Sequence, residues 1–323
     1  MCTAVSLNSG DHYFGRTLDY EYAYDGKITV TPRNFRIAFT DGTVAEKHYA
    51  ICGMAMVEDG YPLYFDAFNE KGLCVAGLNF PGKAHYEKAT SGKINVASFE
   101  FVTRVLCQCK NTNEAESFIK AVNITDSPFS EKLKPSPLHW MISDKGRSIV
   151  AEQTEQGMKV YENPVGVMTN SPEFDKHMQN LQNYVSVTAE EPKNLFSDSF
   201  DFKPYSRGMG SIGLPGDYTS MSRFVRACFV KLNSVCGDTE NERVSQLFHI
   251  LGSVSHPKGC VKIGNGYEIT HYTSCCNTDK GIYYYTTYNN STVHGVDMYR
   301  EDLDAEFPVT YNLVKKSDFI IQN

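Results

Sequence analysis

Strand-like and helix-like segments come in blocks along this sequence, and that order restricts the fold more than any single residue does. Val5 and Leu7 alternate, Asn8-Ser9-Gly10-Asp11 has turn chemistry, and Tyr13-Phe14 resumes a returning strand. Residues 27–31, 35–39 and 48–57 read as further strands. Asn69-Glu70-Lys71-Gly72 then separates "YPLYFDAF" from "LCVAGLNF" as a hairpin turn would. Helices follow. Phe101, Val102, Val105, Leu106 and Cys109 form one apolar stripe over 98–109, and Ala115, Phe118, Ile119 and Val122 form a second. A strand block spans 138–161, broken at Asp144-Lys145-Gly146 and Gln156-Gly157.

Ser171-Pro172 has the chemistry of an N-cap followed by proline at the first helical position, which predicts a helix to about Tyr184. Two more helices are predicted, one from near Ser220 and one from Thr239, where Thr239 and Glu242 match a capping box. The chain returns to strands at 268–276, 282–288 and 292–298. Hairpin strands beside paired one-faced helices argue for packed layers of the α+β class, not for regular β-α-β alternation. No repeat or linker-like stretch interrupts the pattern, so residues 1–323 are expected to form a single domain.

The charge balance narrows the function classes. A net charge of −7 and a pI near 5.7 disfavour nucleic-acid and anionic-membrane surfaces, which call for basic patches. No apolar run approaches the roughly 18–20 residues of a membrane span. The start also lacks the basic and apolar stretches of a signal peptide, so a cytoplasmic protein is expected. Ten cysteines in 323 residues are about 3%, below a disulfide-scaffold composition. Most lie in apolar runs such as "YAICGMAMV" and "FVRACFVKL", and Cys107-x-Cys109 and Cys275-Cys276 lack zinc-ligand spacing. Nine of the ten read as reduced core thiols.

The tenth, Cys2, follows the initiator methionine directly. Methionine removal would put a thiol and a free α-amine on one residue. An α-amine titrates at about 7.7–8.0, low enough to serve as general base for the thiol. Arg16 and Asp19 lie in "FGRTLDY", on the strand that returns to the chain start. They are either a surface ion pair, or a pair in which Asp19 holds the α-amine and Arg16 favours a thiolate. Asn79 and Asn170 each end an apolar stretch shortly before a proline, as turn formers or as amide donors to an oxyanion. Arg223 stands near the start of an otherwise apolar helix, where the macrodipole disfavours a cation, so another group must hold it there. Gly208-x-Gly210-x-x-Gly213 fits the dinucleotide fingerprint in letters only. Its flanks are not strand and helix, so it reads as a glycine-rich loop that can wall a site.

Met1-Cys2-Thr3, "FGRTLDY", "NEKGLCVAGLNFPG", "LHWMISD", "VMTNSPEFD", "GLPGDYTSMSRFVR" and "GIYYYTTYNN" occur in this order along essentially the whole chain. In them the sequence resembles the choloylglycine hydrolase family of N-terminal nucleophile hydrolases, which contains bile salt hydrolases and penicillin V acylases; the former are the more similar. The resemblance implies a four-layer αββα sandwich and a mature chain starting at Cys2. It implies a catalytic set of Cys2, Arg16, Asp19, Asn79, Asn170 and Arg223, and a steroid pocket with Leu18, Tyr24, Phe65, Phe129 and Leu133. No metal or organic cofactor is implied. The implied reaction is hydrolysis of glycine- or taurine-conjugated bile salts through a Cys2 thioester, in a homo-oligomer, a tetramer by resemblance. Penicillin V acylase activity, or non-catalytic steroid or acyl binding on the same scaffold, are the alternatives. Glu58, in the "VEDGYP" loop, stands where the resemblance leads one to expect an apolar residue.

Overall fold

The computed structural model describes residues 1–316 and 319–323. Its principal strands are β1 (Cys2–Ser9), β2 (Asp11–Tyr20), β3 (Gly26–Thr31), β4 (Ile51–Glu58), β5 (Tyr61–Asn69), β6 (Cys74–Asn79), β7 (Leu138–Ser143), β8 (Ser148–Thr154), β9 (Gly157–Glu162), β10 (Val167–Met168), β11 (Ile269–Asn277), β12 (Ile282–Thr287), β13 (Asn290–Asp297) and β14 (Val309–Asn312). They build two antiparallel sheets. One has the order β10-β1-β2-β11-β12-β13, the other β9-β8-β7-β6-β5-β4-β3-β14.

The two sheets stack through a shared core that includes Ala4, Phe14, Ile28, Met54, Phe68, Ala76 and Met141. Helices α1 (Phe101–Gln108) and α2 (Thr112–Ile119) cover the outer face of the larger sheet, where Trp140 stacks on Phe101 with ring centroids 4.1 Å apart. Helices α4 (Ser220–Leu232) and α5 (Glu240–Gly252) cover the smaller one, and α3 (Phe174–Leu181) packs beside α4, where Phe174 meets Phe224. This is the αββα sandwich. Covering both faces explains why β1 is buried at six consecutive positions from Cys2 to Leu7, without the alternation of a half-solvated strand.

Local chemistry produced most elements where it was expected. Thr239 and Glu242 cap α5 reciprocally, and Thr219 caps α4. Several expectations are corrected. Residues 35–39 give only the two-residue strand Ile37–Ala38, paired with Val44–Ala45 across the turn at Asp41-Gly42. Val122 leaves α2 and starts a short parallel strand, Val122–Thr125. Ser171-Pro172, joined by a cis bond, lies outside α3, which begins at Phe174. The Phe174 N–H is instead satisfied by the buried Glu152 carboxylate from β8, so a distant residue does the capping. The core-thiol reading holds for most cysteines, but Cys236 is half-buried and Cys260 exposed.

Candidate active site

The pairing of β1 with β2 sorts the chain start onto two faces. Cys2 stands opposite Leu18 and Ala4 opposite Arg16, so Cys2, Leu18 and Arg16 share the face that meets the other sheet. Thr3, Thr17 and Asp19 take the opposite face, toward the helices. Burial then fixes the contacts. Arg16 donates from Nη2 to Cys2 Sγ at 2.6 Å, from Nη1 to the Gly77 carbonyl at 2.9 Å and the Phe65 carbonyl at 3.3 Å, and from Nε to the Thr17 carbonyl at 3.2 Å. Burial lowers the pKa of this guanidinium, but the Cys2 sulfur, Tyr272, Asp66 and Asp19 more than offset that, and the net direction is up.

Asn170 joins three parts of the site. Its Oδ1 accepts the Cys2 N–H at 2.7 Å and Arg223 Nη2 at 2.7 Å, while its Nδ2 donates to the Asn79 carbonyl at 2.7 Å. Arg223 also donates through Nη1 to the Cys2 carbonyl and to Thr3 Oγ1, both at 2.7 Å. That network is the reason for a cation in the first turns of α4. The backbone around Asn170 is held in turn. Its N–H donates to Ser220 Oγ and its carbonyl accepts from His177, and the Thr169 carbonyl accepts from His139. Nothing in their local sequence marked Ser220, His139 or His177 for this role.

With Met1 in place the Cys2 nitrogen is a peptide N–H, and Asp19 bonds to its neighbours on the helix-facing side. Its carboxylate accepts from Thr17 Oγ1 at 2.9 Å and from the Thr270 hydroxyl, with no bond to the Cys2 nitrogen. Its backbone pairs with Met1, accepting from the Met1 amine and donating to the Met1 carbonyl. That amine also meets the buried Glu268 carboxylate at 3.0 Å. With Met1 attached, the acceptor of the Cys2 peptide N–H is Asn170. Glu268 was legible in advance only as an ionisable residue inside "NGYEITHY".

Cys2 opens onto a recess at the protein surface. All five residues expected for a steroid pocket, Leu18, Tyr24, Phe65, Phe129 and Leu133, line it together with Asn79, and Met56, Leu63, Phe99 and Leu138 add further apolar wall. These last four were missed because each reads as ordinary core. Tyr24 packs on Phe65 with centroids 5.2 Å apart, and Phe129 on Phe99 at 5.2 Å. Glu58 is exposed and ends β4 before the tight turn at Asp59-Gly60, whose residues both have positive φ, away from the recess lining. The Gly208–Gly213 stretch forms a short 3₁₀ turn and does not line the recess either.

The arrangement suits acyl transfer to sulfur. It has a buried thiol beside a guanidinium, an oriented nitrogen on the same residue, side-chain amides nearby, and an apolar cavity for a large acyl group.

Comparison with known proteins agrees in both sequence and fold. The profile of the linear amide C–N hydrolases of the choloylglycine hydrolase family matches residues 2–311. A bile salt hydrolase/transferase from Lactiplantibacillus plantarum is 47% identical over 324 residues, covering 100% of each chain. A bile salt hydrolase/transferase from Clostridium perfringens is 38% identical over 321 residues, 98% of each. Among solved structures, a C2A mutant of conjugated bile acid hydrolase from Clostridium perfringens matches with a TM-score of 0.92 at 37% identity, covering 100% of both chains. A penicillin V acylase from Agrobacterium tumefaciens shares the fold, with a TM-score of 0.78 at 18% identity over 98% of this chain and 94% of its own.

Proposed function

This chain belongs to the choloylglycine hydrolase family of linear amide C–N hydrolases, and from that membership we propose that it hydrolyses the amide bond of glycine- or taurine-conjugated bile salts. The observation that carries the reading is the Cys2 sulfur, 2.6 Å from Arg16, facing an apolar recess lined by Leu18, Tyr24, Phe65, Phe129 and Leu133. A rigid steroid acyl group is the kind of substrate such a recess accepts.

The chemistry follows from the residue types. Loss of Met1 turns the Cys2 N–H, already held on Asn170 Oδ1, into an α-amine. That amine takes the thiol proton, and the sulfur attacks the amide carbonyl carbon. The developing oxyanion is held by the Asn79 side-chain amide and by the remaining N–H of Asn170 Nδ2. The α-amine gives its proton to the leaving nitrogen, the C–N bond breaks, and glycine or taurine departs from a Cys2 thioester. The same amine then activates water, which releases the free bile acid and restores the thiol. Arg16 steadies the charge on sulfur, and Arg223 holds the Cys2 carbonyl and Asn170 in register. No step calls for a metal or organic cofactor.

We read residues 1–323 as one hydrolase domain working in the cytoplasm. No helix among the described residues is long and apolar enough to cross a membrane. Exposed Leu195, Phe196, Phe200, Phe202 and Tyr205 lie in one loop, and burying that apolar surface against neighbouring copies supports a homo-oligomer, proposed as a tetramer.

Two measurements test the reading. Release of glycine or taurine from conjugated bile salts is compared with release of 6-aminopenicillanic acid from penicillin V. A much higher kcat/KM on penicillin V would replace the substrate assignment, and bile salt binding without turnover of either would make this a binding protein. Intact mass of the active enzyme should lack Met1, and full activity with Met1 retained would exclude the α-amine as base.

A further inference from the structure

Arg16 is fully buried, yet among the described residues every bond it makes ends on a neutral carbonyl or hydroxyl oxygen, apart from the one to sulfur. A buried cation needs an opposite charge close by. Asp66 stands in the right place. It follows Phe65 on β5, and its register partner on β6 is Ala76, which precedes Gly77; Phe65 and Gly77 supply the two carbonyls that bind Arg16 Nη1. Asp66 is itself fully buried, and its carboxylate accepts three hydroxyls from the facing sheet: Tyr272, Ser274 at 2.9 Å and Tyr283 at 2.7 Å. Ser274 Oγ also accepts the Arg16 backbone N–H at 3.2 Å, so one hydroxyl joins the two residues. Among the described residues this carboxylate has three hydroxyl donors and no ammonium or guanidinium in contact, and each of those hydrogen bonds favours its charged form.

We propose that Asp66 is the buried counter-charge of Arg16, a positioning residue that offsets part of the guanidinium's charge at the Cys2 sulfur and so sets how readily the thiol ionises. Burial pushes the Asp66 pKa up and the net direction is up; Arg16 is the first of the groups that oppose it, ahead of the Tyr272, Tyr283 and Ser274 hydroxyls. The coupling runs both ways, since Asp66 is among the groups that raise Arg16. With Asp66 neutralised, the full charge of Arg16 falls on the sulfur, which ionises at lower pH. A thiolate stabilised in that way is a weaker nucleophile.

The groups surrounding the Cys2–Arg16–Asp66 line are Asp19 on β2, Tyr24 after it, Tyr272 and Cys276 on β11, Tyr283 on β12, Cys52 on β4, Cys74 on β6, Arg223 on α4, and Glu268 with His256 beside the Met1 amine. None of these side chains is changed in an Asp66→Asn protein, so a displacement of the Cys2 profile reports the loss of that charge. The inference rests on Cys2 as nucleophile and is independent of which amide is cleaved.

The experiment is the pH dependence of Cys2 carboxamidomethylation by iodoacetamide, read on the N-terminal peptide by mass spectrometry so that the other nine cysteines do not contribute. Asp66→Asn should move the midpoint about one pH unit to the acid side and lower kcat with little change in KM. Tyr283→Phe, which removes one donor from Asp66 and does not touch Arg16, should move the midpoint the same way by less. It decides the matter if Asp66→Asn fails to fold. A profile that coincides with the wild type in a folded variant of either kind overturns the assignment, as does a shift to the alkaline side. Bile salt turnover can fail altogether without affecting this readout, which separates the two inferences.

Discussion

Arg223 Nη2 and the Cys2 N–H donate to the same oxygen, Asn170 Oδ1, each at 2.7 Å. The shared acceptor ties α4, the first residue of β1 and the segment after β10 into one unit. A guanidinium fork can also reach the Cys2 carbonyl and Thr3 from its other nitrogen, which a lysine ammonium cannot do in the same geometry.

Arg223→Lys should therefore keep the charge and lose the register. We expect kcat to fall about 100-fold with a much smaller change in KM, because misplacing the attacking residue acts on the chemical step. Steady-state kinetics on a conjugated bile salt give the result, and activity within a factor of two of wild type would refute a positioning role.

Gly15, one residue before Arg16, has no room for a side chain. A Cβ there would lie 2.1 Å from the Ser274 carbonyl oxygen on β11. Gly15→Ala must push β2 away from β11 and carry Arg16 with it. We expect a loss of at least about 2 kcal/mol in stability, seen as a lower urea midpoint, with activity falling in the same protein.

His12 and His177 are both buried, and burial above all lowers the pKa of each to about 4. For His177 the neighbouring His139 and Arg223 add to that fall; for His12, Asp144 and Asp279 work against it. A histidine lowered in the folded state stabilises the fold fully above its unfolded value of 6.5. That contribution is lost as pH falls from about 6.5 toward 4. Urea midpoints should decline across this window, and His12→Asn should flatten the slope even if its baseline stability is lower. An equally steep slope in the variant would count against His12 as a source.

The recess wall offers a test of substrate class. Leu133→Glu places a charge among Phe129, Phe99 and Leu138, where an apolar acyl group would otherwise lose contact with water. KM for conjugated bile salts should rise about 10-fold or more, while iodoacetamide still reaches Cys2 at the wild-type rate. An unchanged KM would place the acyl group elsewhere.

Much of this molecule is legible along the chain because its signals act over short spans. The turn at Asn8–Asp11 and the capping box at Thr239 and Glu242 depend on residues within a few positions of one another, and both form as read. The two-residue periodicity of β1 and β2 also puts Arg16 and Cys2 on one face without any help from the rest of the fold.

What the sequence by itself determined is thus the order of strands and helices, the position of the thiol and the candidates Arg16, Asp19, Asn79, Asn170 and Arg223. Tertiary structure alone decided that Asn170, 168 positions away, receives the Cys2 nitrogen, that Glu152 caps α3, and that Asp66 lies behind Arg16 under Tyr272 and Tyr283. The reason is physical: those contacts arise where two sheets and a helix layer close on one another. The partner of a buried charge or amide is set there by how the layers stack, a quantity that no local spacing encodes.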